Sequence, residues 1–113
     1  MNEQPVIDWE LGLKLAGNNR EIAEELLDML AATLASDIKQ IQDLYEKKNC
    51  KELAEKLHRL HGAVSYCGVP RLKKILATLE VAVKQNKMDT LPELLEILHH
   101  ESQLLLEAMQ NLK

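Results

Sequence analysis

The sequence predicts an all-α protein: an antiparallel up-down-up-down four-helix bundle with a short N-terminal helix capping one end. Three observations carry that expectation. Leu, Ala, Glu, Lys and Ile dominate the 113 residues, Phe is absent, and aromatic residues make up 3%, so helix formers far outnumber strand formers. Apolar residues recur at three- and four-residue steps along the chain, the period of an amphipathic helix. The breaks between those stripes are short, which makes consecutive helices antiparallel neighbours.

The elements follow in order. Asp8 can N-cap a lead-in helix over about 8–16, and Gly17 can end it. Asn18 as cap, with Glu21 at the third position, has the form of a capping box. It opens a long helix over about 19–48, whose stripe is Ile22, Leu26, Met29, Leu30, Leu34, Ile38, Ile41 and Tyr45. Asn49 and Glu52 repeat the cap pattern for a helix over about 50–67, striped by Leu53, Leu57, Leu60 and Val64, with Gly68 placed to end it. Pro70 suits the first turn of a helix over about 70–86, through Leu72, Ile75, Leu76, Leu79 and Val83. Thr90, Pro92 and Glu93 open the last helix, over about 91–111, through Leu94, Leu98, Leu105, Met109 and Leu112. Trp9, the single Trp, is expected to pack on the bundle end.

Length allows one domain, 1–113, with one core, and the chain shows no internal repeat or low-complexity tract. No apolar run reaches the roughly 20 residues that span a bilayer, and Met1 to Asp8 does not have the form of a signal peptide. Cys50 and Cys67 have neither disulfide-scaffold nor CxxC spacing, as expected of free thiols in a reducing cytoplasm. The net charge of −4 argues against nucleic acid as a partner. Between Lys51 and Lys74, however, six basic residues (Lys51, Lys56, Arg59, Arg71, Lys73, Lys74) face only Glu52 and Glu55. A basic island in an acidic chain suits a phosphate or an acidic partner, and equally a solvated helical face.

The informative segment is Leu57-His58-Arg59-Leu60-His61-Gly62-Ala63-Val64-Ser65-Tyr66-Cys67-Gly68. On a helical wheel of about 100° per residue with Leu53 at zero, Leu57, Leu60 and Val64 fall within about 40° of the stripe centre. His58 lies near about 140°, toward solvent, and His61 near about 80°, on the shoulder. Ala54 precedes His58 by one turn; Gly62 follows by one turn and Ser65 by two. A mid-helix Gly costs about 1 kcal/mol relative to Ala. Space for a group carried on the His58 ring is one reason to keep it; close approach of another helix is the other.

His58-Arg59-Leu60-His61-Gly62, ending in Gly68, resembles the signature of histidine-containing phosphotransfer (HPt) domains. The stretch from Leu57 to Leu72 is especially similar to the C-terminal HPt domains of BarA/GacS-type hybrid sensor kinases. The resemblance implies that His58 is the phosphorylated nucleophile, with Arg59, His61, Gly62 and Ser65 around the phosphate. Family members commonly carry Lys where this chain has His61. A neutral His donates one hydrogen bond to a phosphoryl oxygen and a protonated one adds charge, so support for the phosphate is expected to be weaker or pH-dependent. His61 is also the local rival for the phosphorylated position. In HPt folds one flank of the next helix faces the active His; Lys73, Ala77, Glu80 and Lys84 share such a flank and, with Ala54, are candidates for bordering or docking. The wheel alone does not tell that flank from the opposite one.

Imidazole is a competent nucleophile with one ring nitrogen unprotonated. The chain has no Gly-rich phosphate loop, no Walker-type lysine and no Asp cluster suited to Mg²⁺, so it is not expected to use ATP or hold a cofactor. The resemblance implies a phosphoryl carrier in a two-component phosphorelay. A receiver domain of a response regulator or hybrid kinase brings the Mg²⁺ and the phospho-aspartate. The carrier is expected to be cytoplasmic and monomeric, without direct membrane contact. Two rivals stand beside this reading. One is a metal site built from His58, His61, Cys67, His99 and His100, against which the ligand spacing argues. The other is an unphosphorylated interaction module that binds receivers or partner helices.

Overall fold

The computed structural model describes residues 4–112. They form five α-helices: α1 (Trp9–Leu15), α2 (Arg20–Glu46), α3 (Cys50–Val64), α4 (Pro70–Lys84) and α5 (Leu91–Asn111), the last preceded by a 3₁₀ turn at Met88–Thr90. No strand occurs among the described residues, and the all-α expectation holds. Helix α2 packs on α3, α3 on α4, α4 on α5, and α5 returns to α2, while α1 lies against α2. With three- to six-residue connections between neighbours, the four long helices alternate in direction around one core.

The core is aliphatic. Leu27, Leu34, Ile41, Leu53, Leu57, Leu76, Leu79, Leu91, Leu98 and Leu105 are essentially inaccessible, and each fully buried Leu or Ile contributes about 1.5–3 kcal/mol over an exposed one. The stripe of α3 is Leu53, Leu57, Leu60 and Val64. It fixes the rotation of that helix, and with it the direction in which His58 leaves the bundle. Two ion pairs clamp α3 and α4 to the other helices: Lys56 Nζ to Asp37 of α2 at 2.7 Å, and Arg71 Nη2 to Glu101 of α5 at 2.7 Å.

Several elements differ from the sequence expectation. Helix α2 is capped by Asn19, whose side chain accepts from the Ile22 amide, while Asn18 takes a left-handed φ of 63°. Ile22 and Met29 are exposed (43% and 66%), and Ala23 and Leu27 are buried in their place. Ile22 and Met29 lie about 120–140° round the helix from Leu34, whereas Ala23, Leu27 and Leu30 lie within about 40° of it, so only the latter meet the core. Helix α3 ends at Val64 rather than 67; residues 65–68 form a turn. At the far end of α5, Leu112 is exposed, whereas Leu91 and Leu95 are buried.

The turn after α3 holds α1 in place. Gly68, at φ 65°, donates no side chain to this junction and its carbonyl accepts from the Asp8 amide at 2.8 Å. Asp8 in turn caps α1 by accepting from the Leu11 amide at 3.0 Å. Trp9 is half-buried against the core, with the Arg20 guanidinium 5.9 Å from its ring centre. No described helix is long and apolar enough to cross a membrane. Both cysteines are free, and burial pushes the Cys67 thiol pKa up; it donates to backbone carbonyls of Ala63 and Leu26.

Candidate functional site

Because the α3 stripe faces the core, His58 projects on the outer side of the α3–α4 seam with its side chain 74% exposed. It does not hang free. Glu80 of α4 is buried, its side chain only 9% exposed, and its Oε2 lies 2.9 Å from His58 Nδ1. An ionised carboxylate only accepts hydrogen bonds, so Nδ1 carries the proton and donates it. The lone pair is thereby left on Nε2, the outward nitrogen of an accessible ring. Lys84, one turn along α4, donates to the same Oε2 at 3.1 Å.

A buried carboxylate among aliphatic side chains is costly unless paired. Burial by itself raises the Glu80 pKa; the hydrogen bonds from His58 and Lys84, and their charge, outweigh it and hold the carboxyl below its ordinary 4.5. A depressed carboxyl pKa stabilises the fold at pH values above the unfolded-state value, and that contribution disappears as pH falls through the folded value. Wild type is therefore expected to lose stability below about pH 4.5 more steeply than Glu80→Gln, measured by urea denaturation across the acid range. Parallel acid limbs for the two proteins would refute the assignment.

His61 approaches the second oxygen. Its Nδ1 is 3.3 Å from Glu80 Oε1, without hydrogen-bond alignment, so Oε1 is buried and unpartnered. The His61 side chain is 27% exposed and lines a groove with Leu11 and Leu15 of α1 and Lys73 and Ala77 of α4. Ser65 lines the same groove, but its hydroxyl is committed to the His61 carbonyl at 2.8 Å. Ala54 is half-buried against the core. Arg59 is exposed and forms no ion pair among the described residues.

Gly62 decides between two sequence readings. A Cβ built there meets nothing within 4 Å, so no helix presses on this glycine. The space one turn beyond His58 is open to solvent. Gly62→Ala is expected to stabilise the protein by about 1 kcal/mol through helix propensity. Gly62→Leu should fold normally yet accept phosphate more slowly, because its side chain would overhang the ring. Urea midpoints and acceptance rates of the pair check this; a destabilised Gly62→Ala would contradict it.

The basic island is smaller than its residue count. Lys56 and Arg71 are spent on Asp37 and Glu101. Lys51, Arg59, Lys73 and Lys74 remain exposed. Of the rival metal ligands, Cys67 is buried and His99 and His100 are exposed on α5, and no group of three or more His, Cys, Asp or Glu side chains is placed to hold a metal among the described residues. Sequence reasoning did not anticipate Leu11 and Leu15 beside His61, since nothing local reveals where α1 docks. It included Glu80 without its central part; the available signal was an acid on the α4 flank, one turn before Lys84.

The family model described as "Hpt domain" matches residues 25–113, and the chain belongs to that family of histidine-containing phosphotransfer domains. Among curated proteins it is 40% identical over 85 residues to the sensor protein GacS of Pseudomonas syringae pv. syringae, covering 75% of this chain and 9% of that protein. It is 36% identical over 109 residues to the sensor histidine kinase GacS of Pseudomonas protegens (96% and 12%), and 30% identical over 110 residues to the signal transduction histidine-protein kinase BarA of Escherichia coli K12 (96% and 12%). The chain thus spans about a tenth of the length of these relatives. The crystal structure of the HPT domain from a sensor hybrid histidine kinase of Shewanella superposes with a TM-score of 0.83 at 30% identity, covering 95% of this chain and 92% of that one.

Proposed function

We propose that this domain is a phosphorelay carrier: His58 Nε2 accepts a phosphoryl group from a receiver-domain aspartate and returns it to the aspartate of a response regulator. The observation that carries the proposal is the His58–Glu80 pair, which joins an exposed ring to a buried carboxylate. In the forward step the Nε2 lone pair attacks phosphorus, the N–P bond forms, and the acyl O–P bond breaks to release the aspartate carboxylate. Nδ1 keeps its proton, so the ring becomes a phosphoimidazolium whose positive charge rests against Glu80. The onward step is the reverse, and no proton need leave the ring in either direction.

Phosphoryl transfer asks for in-line approach and neutralised oxygens. The receiver supplies the Mg²⁺ and the phospho-aspartate, and this chain needs no ATP site of its own. The exposed Lys73 and the apolar groove of Leu11, Leu15 and Ala77 beside His61 form a rim suited to an acidic pocket edged by apolar residues. The domain works as a monomer in the cytoplasm: its exposed large apolar side chains are scattered over Leu15, Ile22, Met29, Tyr66, Val81, Ile97 and Leu112.

The test is transfer itself. A phosphorylated receiver domain with Mg²⁺ should pass label to the domain as an acid-labile, base-stable adduct, while labelled ATP alone should give none. Failure to take label from any of several receivers would reduce the domain to an interaction module with the fold but not the chemistry.

A further inference from the structure

The Glu80 carboxylate faces two histidines, and the second has a problem that only one protonation state solves. His58 Nδ1 is on Oε2 at 2.9 Å and His61 Nδ1 is 3.3 Å from Oε1. Both rings turn Nδ1 toward one carboxylate, so both turn Nε2 away from it. A phosphoryl group on His58 Nε2 brings negative oxygens to that side, one helical turn from His61. If neutral His61 carries its proton on Nδ1, it serves Glu80 but presents a lone pair to the phosphoryl oxygens. If it carries the proton on Nε2, it serves the phosphoryl group but sets a lone pair against the buried, unpartnered Oε1. Only the doubly protonated ring donates to both.

We propose that His61 binds the phosphoryl group of phospho-His58 as an imidazolium clamped between that group and Glu80, so that phosphorylation of the domain takes up a proton at His61. The inference rests on the carrier reading and adds a regulator to it: retention of the phosphoryl group falls as pH rises through the His61 titration. By linkage, the phosphoryl group raises the proton affinity of His61 by the same factor by which the proton stabilises the phosphorylated state.

The groups packed round His61 add no other side chain that changes charge near neutrality besides His58. From α3, His61 faces His58 and the Ser65 hydroxyl, the latter turned back to the His61 carbonyl. From α4 it faces Glu80, which Lys84 shares, and across the groove Lys73 and Lys74. From α1 the groove receives only Leu11 and Leu15. Lys73, Lys74 and Lys84 are exposed cations, whose charge does not change near neutrality. The groups whose charge can change there are the two imidazoles and the phosphoryl group itself, and the ring signals of His61 report its own proton directly.

Phosphoramidate, which donates its phosphoryl group to histidine without a receiver, separates this inference from the carrier reading. The Nε2–P bond forms, the phosphoramidate N–P bond breaks and ammonia leaves. The ring of His61, isotopically labelled, is titrated by NMR from pH 5.5 to 8.5 before and after loading. Its midpoint should rise by about one unit or more on phosphorylation, as for an opposite charge placed within a few ångströms. The half-life of phospho-His58 in wild type relative to His61→Gln should be several-fold longer at pH 6 and converge by pH 8.5; the ratio cancels the intrinsic acid lability of phosphohistidine. His61→Lys, a permanent cation, should remove the pH dependence of that ratio. Loading at His58 with an unmoved His61 midpoint, or a half-life ratio independent of pH, overturns this inference alone. No loading at His58 overturns the carrier reading and this inference with it.

Discussion

His58→Gln is expected to abolish phosphoryl acceptance and to leave the fold essentially unchanged. In the Gln variant Lys84 Nζ still donates to Glu80 Oε2, at 3.1 Å, so the buried carboxylate keeps a partner although the Gln amide nitrogen takes the place of Nε2 rather than Nδ1. The amide nitrogen's lone pair is delocalised into the carbonyl, and no nucleophile replaces Nε2. The His58 side chain is 74% exposed but bonded to a buried carboxylate, so its loss should cost at most about 1.5–3 kcal/mol, the worth of one hydrogen bond to a charged group. Transfer from a phosphorylated receiver, read as base-stable label, should fall to background, with helicity by circular dichroism equal to wild type. His61→Gln should still take label on His58. Label surviving in His58→Gln and vanishing in His61→Gln would move the acceptor by one turn.

Gly68→Ala should cause the largest loss of stability among substitutions near the site, and the loss should begin at α1. Gly68 sits at φ 65°, and an added Cβ would come within 2.7 Å of Asp8 O and Gly12 N and 2.8 Å of Gly12 Cα. All three are backbone atoms of α1 and its cap, so no side-chain rotation relieves the clash. The left-handed conformation costs a non-glycine residue about 1–3 kcal/mol, and overpacking adds about 1–3 kcal/mol. The strain is relieved if α1 swings away, breaking the Asp8 N–Gly68 O bond of 2.8 Å. Trp9 opens α1 and is half-buried on the core, so its emission should shift to the red at urea concentrations where helicity persists. Leu11 and Leu15 would leave the groove beside His61, and transfer from a receiver should weaken while phosphoramidate still loads His58. Unchanged emission and an unchanged urea midpoint would show that this contact does not hold α1.

Gly62 and Gly68 lie six residues apart and carry opposite expectations, for a reason that sequence does not contain. Both read as helix-end or spacer glycines. In the folded chain Gly62 faces open space and Gly68 touches the backbone of α1. What surrounds a missing Cβ depends on a segment more than fifty residues earlier in the chain.

The parts legible in the sequence are those governed by local periodicity. The α3 stripe of Leu53, Leu57, Leu60 and Val64 is buried, because a 3.6-residue period places those side chains on one face whatever they meet. The same period put His58 outside and His61 on the shoulder, and their exposures of 74% and 27% follow that order. Caps at Asp8 and Asn49 accept from Leu11 and Glu52 amides; at α2, Asn18 and Asn19 offer the same side chain, and only the fold selects Asn19 as the cap. Ile22 and Met29 share the three- and four-residue spacing but lie well round α2 from the Leu27–Leu34 row, and with core on one side only they stay exposed.

Which flank of α4 faces His58 was decided only by tertiary structure. Wheel geometry put Lys73, Ala77, Glu80 and Lys84 together but allowed them to lie on either side. The packing of α3 on α4 sets that flank beside His58 and His61, buries Glu80 alone of the four and brings its two oxygens to two imidazoles. Sequence determined the helices and the exposed histidine, since each is a property of a few neighbouring residues. The carboxylate that sets the tautomer of His58 comes from 22 positions away, and the spending of Lys56 and Arg71 on Asp37 and Glu101 is likewise non-local. Such pairings depend on the rotation and offset of one helix against another, which the summed packing of the core fixes and no local pattern encodes.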